Sequence, residues 1–258
     1  MTLQTKIYNY SQLDQVERNL KSMLEGLNVD ITTPRANPRG WVGISVSGED
    51  EKAAMQYLAD NIGFSPANLE DVVRFSTFKG FIMDPTGSRN ELKVDIGVSF
   101  PTRVDAVIPL HKLQAQLCDG RKMALSKLVG LFGFCANLPL HIRVSQVDLQ
   151  TKHVEAELSE SQQKQYADWT SSLLDRLLIL GASYSEVETA VKIAEVNRDI
   201  VYIEQLGMLE HALVCKLGTD AAGLIPKVGK ILGRASLSVF NPRRILGLLG
   251  DGSVLPIS

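Results

Sequence analysis

The sequence predicts a mixed α+β protein of three small units, with a small β-barrel between two α/β units. Three observations lead there. The 258 residues are 45% hydrophobic and 22% charged, with a mean hydropathy of +0.02, an ordinary globular composition whose length suits two or three small domains. Apolar residues recur at helical spacing towards both ends. The middle instead carries short alternating runs separated by glycine- and proline-bearing turns. The expected boundaries are 1–73, 74–158 and 159–258.

The first unit reads as β-α-β-β-α. Lys6–Tyr8 is a short strand, and Ser11 caps a helix to about Leu27 with Leu13, Val16, Leu20 and Leu24 on one face. Val29–Thr33 is a strand, Pro34, Pro38 and Gly40 mark a loop, and Trp41–Val46 alternates as a second strand. A helix over Glu49–Ile62 points Ala53, Ala54, Tyr57 and Leu58 inward. The pattern is a partial ferredoxin-like unit.

The second unit yields strands at Phe78–Met83, Leu92–Val98, Asp105–Pro109, Lys122–Leu125, Leu140–Val147 and Val154–Leu158. Turns fall at Asp84–Gly87 and Cys118–Arg121, so a barrel of five to six strands is expected. The third unit starts at Ser159, which caps a helix whose apolar stripe runs from Tyr166 and Trp169 through Leu173, Leu174 and Leu177 to Leu180, ending at Gly181. Ser185 and Glu188 form a capping box for a second helix burying Val187, Val191 and Ala194. Strands at Ile200–Glu204 and His211–Leu217, a helix over Asp220–Ile231 and a strand at Leu237–Phe240 complete an α-α-β-β-α-β order.

In the middle unit, Gly80-Phe81-Ile82, Val94-Asp95-Ile96-Gly97 and Ala106-Val107-Ile108-Pro109-Leu110-His111-Lys112-Leu113 follow one another. Leu140-His141-Ile142-Arg143-Val144 with Val147-Asp148, and Val154-Glu155-Ala156-Glu157-Leu158-Ser159, come after them. This series resembles the S-one RNA-binding repeat, an oligonucleotide-binding (OB) barrel, over about a third of the chain. The resemblance implies RNA as a ligand. Where such repeats stack bases on aromatics, this chain aligns Lys93 and Pro109, with His111 and Phe100 as neighbours; Asp148 then Lys152 or His153 keeps the acidic-then-basic pair of the closing hairpin. A platform without stacking residues loses about 1–3 kcal/mol per base. Over nearly its full length, with Leu209–Ala221 as a further stretch, the chain is similar to an archaeal family, domain of unknown function 2110. That resemblance implies a cytoplasmic protein and supplies no catalytic residues.

The formal charge of −2 is unevenly spread: −4 over 1–73, +5 over 74–143, −7 over 144–215 and +4 over 216–258. Two basic blocks give local positive fields that attract phosphates. The candidate RNA contacts are Lys93, Lys112, Arg121, Lys122, Lys127, Arg143, Lys152 and His153 on the barrel. In the last unit they are Lys216, Gly218, Lys227, Lys230, Arg234, Arg243 and Arg244. Gly218-Thr219-Asp220 is a turn into a helix, whose free N–H groups favour an anion, or which merely caps that helix; it lacks the Gly-Lys-Ser/Thr ending of a nucleotide loop.

Other chemistry finds little support. Cys118, Cys135 and Cys215 are odd in number and far apart, so neither a disulfide framework nor a zinc site is indicated, and no metal or cofactor is expected. The histidines His111, His141, His153 and His211 are scattered and read as hydrogen-bonded structural residues. Gly43–Gly48 lacks the serine-elbow pattern. No signal peptide or membrane span is visible.

The expectation is a non-catalytic, RNA-binding or ribonucleoprotein-associated factor, with RNA and a ribosome or RNA-processing complex as partners. Its alternatives are a protein–protein adaptor on a translation, transcription or RNA-decay complex, and an enzyme holding a phosphorylated molecule at Gly218–Asp220.

Overall fold

The computed structural model describes residues 1–249; residues 250–258, the end of the expected third unit, lie outside the described residues. The N-terminal region opens with β1 (Thr2–Lys6), followed by a 3-10 turn and α1 (Leu13–Met23). It continues with β2 (Val29–Ile31), β3 (Arg35–Ala36), β4 (Trp41–Gly43), β5 (Val46–Gly48) and α2 (Glu51–Asn61). β1, β4 and β3 form one sheet and β2 pairs with β5.

Four expectations are corrected here. The first strand precedes Ile7: Leu3 and Thr5 are buried, and the chain leaves the strand after Lys6, with Tyr8 packed against both the N-terminal and the barrel cores. The Trp41–Val46 strand is broken where the Ser45 amide donates to the Thr32 hydroxyl, so each arm of the hairpin has two short pieces. The helix entry is capped by Asn9 and Gln12 rather than Ser11. On α2, Ala54 and Leu58 are buried, whereas Ala53 and Tyr57 are exposed.

The central region contains β6 (Thr77–Ile82), β7 (Glu91–Asp95), β8 (Ala106–Pro109), α3 (Leu110–Cys118), α4 (Leu125–Phe132), β9 (Pro139–Asp148) and β10 (His153–Leu158). The strands close into a barrel in the order β6-β7-β8-β10-β9, with β8 and β10 parallel and the other pairs antiparallel. That is the order of the five-stranded OB barrel. Gly80 allows β6 and β7 to cross closely: a Cβ there would lie 2.5 Å from the Val94 side chain and 2.9 Å from the Asp95 carbonyl. The sixth strand, Lys122–Leu125, does not form. It leads into α4, whose Leu125, Leu128, Leu131 and Phe132 are buried at helical spacing.

The C-terminal region contains α5 (Glu160–Ser171), β11 (Arg176–Leu180), α6 (Tyr184–Ile193), β12 (Ile200–Gln205), β13 (Glu210–Cys215), α7 (Ile225–Ile231), β14 (Ser236–Phe240) and α8 (Pro242–Leu249). The expected long helix therefore stops at Ser171, and its second half is a strand in the middle of a four-stranded sheet. The order α-α-β-β-α-β becomes α-β-α-β-β-α-β, with α8 unforeseen. The capping box is Ser183 with Glu186, two residues before the expected pair: the Ser183 amide donates to Glu186 Oε2 at 2.7 Å. The sheet order β12-β13-β11-β14, with every neighbouring pair antiparallel, makes β11 to β14 a complete split β-α-β (ferredoxin-like) unit.

This sheet is covered on both faces. Leu177, Ile179, Leu213 and Cys215 join a core with α6 and α7, whereas Leu178, Leu180, Ala212 and Phe240 join the barrel's own core. Phe132, Phe134, Tyr166, Trp169 and Phe240 form a connected aromatic cluster at that junction, with ring centroids 5.1–6.2 Å apart. Trp169 is thus core, and its Nε1 donates to Glu204. Leu209, in the β12–β13 turn, enters the N-terminal core beside Leu3 and Val42.

Candidate nucleic-acid interface

An OB barrel offers nucleic acid the outer face of its second and third strands and the loops beside it. Here those strands are β7 and β8, and they present Lys93, exposed, with Val107 and Pro109, half-buried. No base can stack on them. The far end of the same face is closed by the N-terminal region. Asp95 at the end of β7 accepts from Lys6 Nζ at 3.0 Å and from Trp41 Nε1 at 2.9 Å, with Arg39 3.3 Å away and also paired to Asp105. Trp41 meets Phe81 edge to face at 5.2 Å. These contacts hold the Asp95 carboxyl below its usual range despite burial, with Lys6 the chief opposing influence.

Aromatics lie beyond Asp95, at the end of the barrel that holds the β7–β8 loop and the start of β6. Phe75, just before β6, is 60% exposed, and Phe100, in the β7–β8 loop, is 67% exposed. The Phe75 amide donates to the Val144 carbonyl near the end of β9. Since β6 runs antiparallel to both β7 and β9, its start, the β7–β8 loop and the β9–β10 turn share that end. The Arg74 guanidinium sits over one face of the Phe75 ring at 4.5 Å, leaving the other face uncovered by it. Phe75 holds φ +71°, a conformation costly for an aromatic residue. Arg103, Lys152 and His153 are exposed at the same end. Sequence reasoning missed Arg74 and Phe75; the legible signal was a bulky apolar residue beside an arginine in a linker that follows no periodicity.

The structure separates the expected basic residues. Lys112 is spent internally, with Nζ 2.8 Å from Glu155 and 2.6 Å from the Ser145 hydroxyl, and Arg143 pairs with Glu157 at 2.6 Å. Both lie on the outer side of β9, β10 and α3, where glutamates cancel their charge. Lys93 lies 3.6 Å from Glu91. Arg121 donates to the Leu248 carbonyl, so the α3–α4 loop touches α8. Lys122, Lys127, Lys152, His153, Lys216, Lys227, Lys230, Arg234, Arg243 and Arg244 are exposed.

Three amides in and just after the Gly218–Asp220 turn, those of Thr219, Ala221 and Ala222, are already taken. Gly218 takes φ +92°, and the Thr219 amide donates to Lys216. The Ala221 amide donates to the buried Asp175 carboxylate, and the Ala222 amide to Asp220. Two carboxylates therefore occupy the place an anion would take, and the turn is a cap rather than a phosphate site. Nor are the histidines uniform: His211 is fully buried, its imidazole beside the Ala182 backbone but outside ordinary hydrogen-bond geometry, against the expected hydrogen bonds. Among the described residues no cluster of His, Cys, Asp and Glu could hold a metal, and no helix is long and apolar enough to cross a membrane.

Three family models match the chain: the DUF2110 N-terminal domain over residues 1–65, the DUF2110 central domain over 75–170 and the DUF2110 C-terminal domain over 174–240. No curated protein matches. Among solved structures, a chain of an a/eIF2alpha–aDim2p–rRNA complex from Pyrococcus horikoshii OT3 is similar at 8% identity and a TM-score of 0.27. The match covers 48% of this chain and 60% of that one.

Proposed function

We propose that this chain, which belongs to the three-domain DUF2110 family, is a non-catalytic factor that binds single-stranded RNA at the end of its barrel that carries the β7–β8 loop and the β9–β10 turn. One observation carries the reading: two aromatic rings are exposed on an OB-order barrel, Phe75 just before β6 with Arg74 over its ring and Phe100 in the β7–β8 loop, while Arg103, Lys152 and His153 are exposed on the loops towards the same end. Aromatics supply sequence-tolerant stacking and the cations follow the phosphates. The basic residues of the α3–α4 loop and α8 lie towards the other end of the barrel, since α3 follows the far end of β8 and α4 leads into the start of β9, and Lys112 and Arg143 are left out of the contact set. A ribosome or RNA-processing complex is the setting this chemistry suits.

Binding of a single-stranded RNA titrated against salt tests the reading. Micromolar affinity at low salt is expected, falling steeply as salt rises. Changing Phe75 and Phe100 together to Ala removes one or two stacked bases and lowers affinity about tenfold or more. Changing Arg74, Arg103 and Lys152 to Ala instead flattens the salt slope. Retention of RNA no better than that of a neutral control protein sinks the proposal.

A protein–protein adaptor is the second reading, favoured by the outer edge of the C-terminal sheet. β12 is an edge strand, and its Val201 and Tyr202 are exposed, a template for a partner strand. Partners retained after nuclease treatment would favour it over RNA binding.

A further inference from the structure

The C-terminal sheet ends on one side in β12, which pairs only with β13 among the described residues. A bulge between Ile200 and Tyr202 interrupts the ladder, so the regular free edge runs from Tyr202 to Gln205. The register fixes which groups that edge presents. The Leu206 amide donates to the Glu210 carbonyl, and an antiparallel ladder alternates between residues that bond across it and residues that do not. Tyr202 and Glu204 therefore bond to Val214 and Ala212, whereas Ile203 and Gln205 turn amide and carbonyl outward. No other group among the described residues meets them. Edges are commonly guarded by lysine or proline. Apart from its bulge β12 has no such guard, and its Val201 and Tyr202 side chains are exposed.

Beside this edge a groove of about 650 Å³ lies between α5 and β12. Tyr202 and Glu204 line one wall; Lys164 and Asp168, exposed and one helical turn apart, line the other. Glu204 is spent within the chain, accepting from Trp169 Nε1 at 3.0 Å and lying 3.4 Å from Arg176 Nε. Lys164 and Asp168 make no ion pair among the described residues, so the groove carries one free charge of each sign.

We propose that β12 pairs antiparallel with β12 of a second copy of this chain, about a two-fold axis normal to the sheet, so that the two four-stranded sheets become one. A closed two-fold dimer uses the same patch on both copies, and this patch suits itself. Val201, Tyr202 and Ile203 are uncharged, so pairing centred on them brings no like charges together at the axis. Away from the axis, the two-fold reverses the order of Lys164 and Asp168 and brings each lysine towards an aspartate of the other copy. A foreign strand would have to match both signs through its own sequence, whereas a second copy matches them by symmetry. The second copy takes the edge that an adaptor would offer to a foreign strand, and RNA binding at the barrel end does not depend on it.

Sedimentation equilibrium of the nuclease-treated full chain, from nanomolar to high micromolar concentration, tests this. A reversible monomer–dimer equilibrium is expected. Gln205 is exposed and its amide points away from β13, so Gln205→Pro removes an edge donor without breaking the native ladder. It should weaken the dimer about tenfold or more, while Gln205→Ala, which keeps the amide, should dimerise as the native chain does. Tyr202→Lys places like charges across the axis and should weaken it to a similar degree. Lys164→Asp should weaken it several-fold, and adding Asp168→Lys should restore it, which a structural role for either residue would not predict. The double Phe75→Ala, Phe100→Ala variant should dimerise normally even where RNA binding is lost. A chain that stays monomeric at every concentration, its edge left to a foreign strand, overturns the proposal. So does a dimer that Gln205→Pro and Tyr202→Lys both leave unchanged.

Discussion

At the scale of single residues, Glu210 and His211 set two opposed proton equilibria side by side on β13. Burial raises the Glu210 carboxyl to about 7, against the Tyr8 hydroxyl and Lys79. Because its folded pKa exceeds the unfolded one, its contribution to stability is full below about pH 4.5 and is lost as pH rises through about 7. Burial lowers the His211 imidazole to about 4, so its contribution is full above about 6.5 and is lost as pH falls through about 4. Each is worth on the order of 3 kcal/mol across its range, and in the native chain they oppose one another. Glu210→Gln should leave a protein that melts higher at pH 7.5 than at pH 4.5, and His211→Leu one with the reverse order. Melting curves at the two pH values check this; profiles identical to the native one in both variants would refute it. Neither effect was legible in the sequence, where Glu210 and His211 were two polar residues at a strand start. Burial on both faces of a central strand, which only the assembled sheet creates, shifts both.

At the scale of elements, three strand ends meet at one carboxylate: β1 through Lys6, β4 through Trp41 and β7 through Asp95. The Val94-Asp95-Ile96-Gly97 stretch was legible as a strand of the barrel, but not that its aspartate would fasten the N-terminal region. Asp95→Ala leaves the Lys6 ammonium buried without a partner, and should destabilise the protein by about 3–5 kcal/mol. Because Trp41 stands at this contact, its fluorescence should change before the rest of the fold melts in denaturant. A loss below about 1 kcal/mol would mean that water replaces the carboxylate. The largest misreading was also at this scale. Leu177-Leu178-Ile179-Leu180 continues a helical stripe from Tyr166 and Trp169, and a short apolar run cannot be told from a buried strand by periodicity. Leu173, at φ +56°, is the break, and leucine carries no sequence signal for a left-handed residue. Similarly, the Ser-x-x-Glu pattern occurs twice near the start of α6, and only the end of β11 decides which serine caps it.

At the scale of the whole molecule, the barrel and the C-terminal sheet share one core, whereas the N-terminal region is joined to them by a polar latch and by Leu209. Phe240 is fully buried among Phe132, Tyr166 and Trp169. Phe240→Ala should cost about 3–5 kcal/mol and lower the stability of barrel and sheet together, in one transition followed equally by circular dichroism and Trp169 fluorescence. Two separated transitions for these regions would show that they fold independently.

The sequence by itself determined the α+β class, the five barrel strands and their order along the chain, and most of the helices. These depend on local periodicity, turn residues and caps, which act over a few positions. Tertiary structure alone decided which basic residues are free, since Lys112 and Arg143 are paired with glutamates on β10. It also decided that the Gly218 turn is closed by Asp175 and that Lys6 and Trp41 meet Asp95 of the barrel. Each of these depends on groups distant in sequence meeting where water is excluded, and no local pattern encodes such a meeting.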